Sequence, residues 1–93
     1  MAELITETVG GDTYQYYPLG EHVVRAIGVC GERPTFKHTR IEITGTLERL
    51  AGGELMDDIV SGYRGRVPRE AILEAMVLLI NQFCAGRGLQ PRP

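Results

Sequence analysis

The stretch Ile41–Ala85, IEITGTLERL AGGELMDDIV SGYRGRVPRE AILEAMVLLI NQFCA, decides how the chain is read. Thr44 is a good N-cap, and Leu47, Leu50 and Ala51 follow at the three-and-four spacing of a helix that Gly52-Gly53 stops. Glu54 to Ser61 reads as a second short helix, with Leu55, Met56, Ile59 and Val60 apolar and Asp57 and Asp58 in its first turns, where the helix dipole favours negative charge. Gly62 to Arg66 is a loop. Pro68 suits the first position of a third, longer helix over 68–85, which Gly86 and Gly88 end. Two short helices, a glycine-containing connection and a longer helix make a trihelical helix-turn-helix pattern over 41–85.

Upstream, Leu4–Val9 and Thr13–Tyr17 flank Gly10-Gly11-Asp12 and read as a β-hairpin. His22–Val29 is a further candidate strand by its β-branched content, and Thr35-Phe36 a short one. Pro34 blocks a helix there and holds Arg33 extended. Ile41 and Ile43 point into the core. The predicted fold is therefore mainly α with an N-terminal β-hairpin. It is one domain over 1–93, divided into a β-hairpin and extended segment (1–40), the three-helix unit (41–85) and a flexible tail (86–93).

Composition narrows the function. A chain of 93 residues is bounded to one domain, and one this small buries roughly 60–65% of its unfolded surface, so self-association is a reasonable expectation. Net charge is −2, so any nucleic-acid footprint must be a local patch rather than a global one. Two cysteines are fewer than a disulfide-stapled secreted domain carries, and no signal-peptide pattern or 20-residue apolar run is visible. The expectation is a cytoplasmic protein with reduced thiols and no membrane segment.

Winding 68–85 at about 100° per residue puts Glu70, Glu74 and Asn81 on one narrow stripe. Ile72, Ala75, Met76, Leu79 and Phe83 form the opposite face, and Leu73, Val77, Ile80 and Cys84 one flank. That apolar arc is wider than one small core covers, which predicts a second buried contact, most simply a two-fold dimer. The alternative is that the hairpin covers the extra face within one chain. The acidic stripe would repel phosphate, so only the start of this helix, with Arg64, Arg66 and Arg69, could meet nucleic acid. Those arginines could equally form a solvated loop paired with Glu70, Asp57 or Asp58.

Little in the chain suggests catalysis. Ser61 is the single serine, and His22 and His38 have no nucleophile at a suggestive spacing. Cys30, Cys84, His22 and His38 lack the spacing of a zinc site. No cofactor motif is present. Tyr14 and Tyr16 share a strand face and could meet a partner or pack within the domain.

The segment Gly31-Glu32-Arg33-Pro34-Thr35-Phe36-Lys37-His38-Thr39-Arg40-Ile41 resembles the signature of a bacterial family, domain of unknown function 433. That family reads Gly-Gly-Arg/Lys-Pro, two residues, a basic or small residue, then Gly-Thr-Arg-Ile. Leu47, Leu50, Gly53, Ile59 and Tyr63 match its helix–glycine–helix–aromatic pattern, and Val67–Ile72 the start of its last helix, so the resemblance spans about Val24 to Phe83. Glu32 and His38 stand where the family has glycine, which weakens the case for left-handed turns there. The resemblance implies a homeodomain-like helix-turn-helix fold and a role like that of antitoxins paired with a PIN-like nuclease toxin, which bind the toxin and repress their own promoter. It gives Arg33, Pro34, Thr39 and Arg40 a structural part, with Arg33 and Arg40 bracing the helices by pairing with carboxylates or carbonyls.

Two functions follow as expectations. One is a dimeric DNA-binding regulator contacting phosphates through Arg64, Arg66 and Arg69, with Lys37 and His38 adding to them. The other is a protein-interaction module that meets a partner, such as a toxin nuclease, through Tyr14, Tyr16, Leu73, Val77 and Ile80. Neither is an enzyme.

Overall fold

A computed structural model describes residues 3–87, with side chains through residue 83. The chain begins with a four-stranded antiparallel meander in the order β1 (Ile5–Val9), β2 (Asp12–Pro18), β3 (Val23–Ala26), β4 (Thr35–Phe36). Three helices follow, α1 (Ile43–Ala51), α2 (Met56–Gly62) and α3 (Arg69–Arg87).

This corrects the expectation of a mainly α domain with a homeodomain-like three-helix unit. The fold is mixed α/β with the sheet first. The physical reason lies in β3 and β4. Val23, Val24 and Ala26 are all buried, so β3 has apolar residues on both faces and must be a central strand. Val23 opposes Phe36 in β4, and both pack against the helices. The helices therefore close over a sheet instead of over one another. One core contains Val23 and Phe36 from the sheet with Ile43, Ile59, Val67, Ala71, Ile72 and Ala75 from the helices and the segment between them. A smaller cluster of Tyr16, Val24 and Ala26 fills the other face of the sheet.

The Gly10-Gly11 turn fixes the hairpin register. Both glycines have positive φ (59° and 88°), as a two-residue turn matching the strand twist requires. Val9 then faces Asp12, and Glu7 faces Tyr14.

The connection from β4 to α1 is bonded to itself. Phe36 N–H donates to the Ile41 carbonyl at 3.0 Å, and Ile43 N–H to the Pro34 carbonyl at 3.2 Å. The Thr39 hydroxyl donates to the Phe36 carbonyl at 2.7 Å and accepts from Ile41 N–H at 3.0 Å. Arg33 grips Glu42, the residue ahead of α1, with two hydrogen bonds of 2.9 and 3.0 Å. Glu32 and His38 do adopt left-handed backbone, with φ of 63° and 64°, although neither is glycine. Cys30, Gly31 and Glu32 form one short left-handed turn.

Helix boundaries also move. α1 starts at Ile43, and Thr44 lies inside it as an exposed residue rather than at its cap. Gly86 does not stop α3, which continues to Arg87. Residues 88–93 of the expected tail and the side chain of Cys84 lie outside what is described.

Candidate functional site

α3 has two apolar sides. Ala71, Ile72 and Ala75 are buried against the sheet and the other helices, with Leu78 packed beside them. Around the rest of the helix, Leu79, Phe83, Met76, Ile80, Val77 and Leu73 are all exposed. At 100° per turn step those six cover an arc of about 160°. Val77, Ile80 and Phe83 leave 53%, 57% and 58% of their surface open. The sheet does not cover this side of the helix.

α1 forms the other wall of a groove along that surface. Leu47, Leu50 and Ala51 face Met76, Leu79 and Ile80 across a hollow of about 380 Å³. A second hollow of about 260 Å³ adjoins it between Leu47, Ala51 and Leu79. No charged residue occurs between Ala75 and Phe83. The Leu73, Val77 and Ile80 flank singled out in the sequence thus lies on one continuous exposed apolar surface.

The residues expected to contact DNA have different surroundings. Arg69 is paired with Asp57 of α2 at 2.5 Å. The Lys37 ammonium lies 5.2 Å from the centre of the Tyr16 ring. Arg64 is held in left-handed backbone at φ 56°, followed by Gly65 at 83°. Arg64 and Arg66 form no ion pair among the described residues.

The tyrosines are tied into the sheet. Tyr16 is only 2% exposed and its hydroxyl donates to Glu7 Oε2 at 2.7 Å. Tyr14 is half-buried, and its hydroxyl accepts the His38 backbone N–H at 2.9 Å. The His38 ring contacts Glu7 Oε1 through Nε2 at 2.8 Å and lies 5.0 Å from the Tyr14 ring. Hydrogen bonds from His38 and Tyr16 hold the Glu7 carboxyl below the usual carboxylate range. The same Glu7 pushes the Tyr16 hydroxyl up. The Glu7–Tyr16 bond contributes to both shifts, because it favours the ionised carboxylate and the protonated phenol.

Glu7 was not singled out from the sequence. The Gly10-Gly11 turn carried the signal, because a two-residue hairpin places residue 7 opposite residue 14 and on the tyrosine face. Beside this cluster, Arg40 and Arg66 meet at a hollow of about 310 Å³ that Tyr14, His38, Val9 and Val29 also line. The fold therefore brings Arg40 and Arg66 together, 26 positions apart in the chain, where spacing alone shows no relation.

Among the described residues no group of three or more His, Cys, Asp or Glu could hold a metal ion. No described helix is long and apolar enough to cross a membrane. No known protein family, curated protein or solved structure matches the chain. The resemblance drawn from Gly31–Ile41 and extended over about Val24 to Phe83 rests on the sequence pattern alone.

Proposed function

We propose that this protein is a binding module that works as a two-fold dimer, with α3 of one copy packed against α3 of a second along the apolar groove. The supporting observation is the exposed row Leu73, Met76, Val77, Leu79, Ile80 and Phe83. These residues recur at three-and-four spacing, the pattern by which one helix seats another. Six large apolar residues about half open offer on the order of 500–600 Å² of surface. The α1 wall brings this toward the ~800 Å² per partner of a standard interface.

Charge argues for a second copy as occupant. A two-fold contact places each group near its own equivalent, so any charge on the axis meets a like charge. The stretch 75–83 carries none. A partner of different sequence would gain specificity from charges on this face, and its α3 side supplies none.

Contact with nucleic acid has less physical support. Arg69 is paired with Asp57, Lys37 lies over Tyr16, and the first turn of α3 exposes the acid Glu70.

Light scattering on the eluting peak tests the proposal. Twice the 10.3 kDa chain mass, about 21 kDa, is expected for the wild type, and 10.3 kDa for Val77→Glu plus Ile80→Glu. Both substituted side chains are exposed, so circular dichroism should match the wild type. A wild type that elutes as a monomer, with the same mass as the double variant, overturns the dimer.

A further inference from the structure

The hollow of about 310 Å³ between the sheet and the α2–α3 loop lies away from the α1–α3 groove and shares no lining residue with it. Arg40 and Arg66 both line it. Most other described arginines are engaged. Arg33 bonds Glu42, Arg49 bonds Glu54, Arg69 bonds Asp57, and Arg25 stacks on Tyr17. Arg40 and Arg66 have no ion pair among the described residues, although Glu7 sits close by, bonded to His38. Both Glu7 oxygens are committed, one to Tyr16 and one to His38. The nearby carboxylate forms no ion pair with either guanidinium.

Tyr14 adds a third donor. Its oxygen accepts the His38 N–H, which leaves its own hydroxyl proton without an acceptor among the described residues. The backbone around the hollow is strained. His38 on its wall has φ 64°, and Arg64, two residues before Arg66, has φ 56°. For non-glycine residues each costs about 1–2 kcal/mol, and such residues concentrate where a ligand must be gripped. Val9 and Val29 give the hollow an apolar part of its lining.

We propose that this hollow binds a phosphate monoester. Arg40 and Arg66 engage the dianionic phosphoryl oxygens, Tyr14 donates its hydroxyl to a third oxygen, and the organic group of the ester lies on Val9 and Val29. Two guanidiniums match the two charges of the ligand, and planar guanidinium forks suit phosphoryl oxygens. The volume is enough for a phosphoryl group and a small organic substituent.

Titration calorimetry with phenyl phosphate and with inorganic phosphate, at low ionic strength, tests this. Phenyl phosphate should bind saturably and several-fold more tightly than inorganic phosphate. Arg40→Gln and Arg66→Gln should each weaken it about tenfold or more, the usual effect of losing one charge-assisted contact. Tyr14→Phe should weaken it less, and Arg25→Gln, on β3 outside the hollow, should leave it unchanged. Both lining arginines are exposed, so their variants should keep the wild-type circular dichroism. Absence of saturable phenyl phosphate binding, or binding indifferent to both Arg40→Gln and Arg66→Gln, overturns the proposal. Equal affinity for the two probes overturns the role given to the apolar lining. Retention of duplex DNA without phenyl phosphate binding overturns the choice of ligand. The oligomeric state plays no part in these outcomes, so the dimer and the phosphate site fail independently.

Discussion

Thr35 is wholly buried in β4, opposite Val24, and its hydroxyl has no hydrogen-bond partner. A buried hydroxyl without a partner costs about 1–3 kcal/mol of desolvation that nothing returns. Valine has the same branched shape and an equal or better strand preference. Thr35→Val should therefore raise stability by about 1 kcal/mol, read as a higher urea midpoint at unchanged slope. A lower midpoint would mean that the hydroxyl is bonded after all. At the same scale, Glu7 predicts a pH response. Its carboxyl sits below its ordinary value when folded, because His38 and Tyr16 bond the ionised form. A depressed folded value contributes stability that is full above the unfolded value, about 4.3, and is lost as pH falls through the folded one. Tyr16 is shifted the opposite way, so its contribution is full below about 10 and is lost as pH rises through its raised folded value. Glu7→Gln should flatten stability against pH at both ends, measured by thermal melts from acid to alkaline buffer. A variant whose acid limb is as steep as that of the wild type would show that the pair contributes nothing. Individual residues of this kind were half legible. Tyr14 and Tyr16 announce a shared strand face by alternation, but Thr35 gives no local sign that it ends without a partner.

At the scale of elements, what could be read follows the reach of each signal. α1, α2 and α3 are marked locally, by Gly52-Gly53 between the first two and Pro68 before the third, so their existence was legible and their ends only to within a few residues. The hairpin was marked by Gly10-Gly11. β3 and β4 fall within the segments that β-branched content marked as strands, but they are four and two residues long, and no pattern within them reveals that they pair across a loop into one sheet with the hairpin. Reading the helices as a self-sufficient unit followed from that gap. Glu74 shows the same limit from the helical side. On a helical wheel it looks like part of a solvent-facing acidic stripe. In the fold its two oxygens accept the backbone N–H groups of Glu21 and His22 at 2.8 and 2.7 Å, tying α3 to the turn ahead of β3. That turn passes so close that a Cβ added at Gly20 would lie 2.7 Å from the Glu74 carboxylate. Hydrogen bonds to a charged group are each worth about 1.5–3 kcal/mol, less where solvent competes. Glu74→Ala should cost about 2 kcal/mol and speed amide exchange at residues 21 and 22 in particular. Unchanged exchange there would show that the turn holds itself without α3.

At the scale of the whole molecule, the apolar arc of α3 is a sequence feature that the fold does not use up. The sheet takes Ala71, Ile72 and Ala75, and the opposite side is left to solvent in a single chain. If two copies bury that side, folding and association share one free energy, and stability must depend on concentration. Mass action adds about 1.4 kcal/mol per dimer for each tenfold rise in protein, or about 0.7 kcal/mol per chain. For a domain of this size that corresponds to an increase in Tm of about 3–5 °C. Calorimetric scans of the wild type across two decades of concentration should show that rise. Scans of Val77→Glu plus Ile80→Glu should show a Tm that stays constant, because the monomer unfolds without dissociating. A wild-type Tm independent of concentration rules the dimer out, because a dimer that unfolds to two chains carries that dependence however tightly it associates.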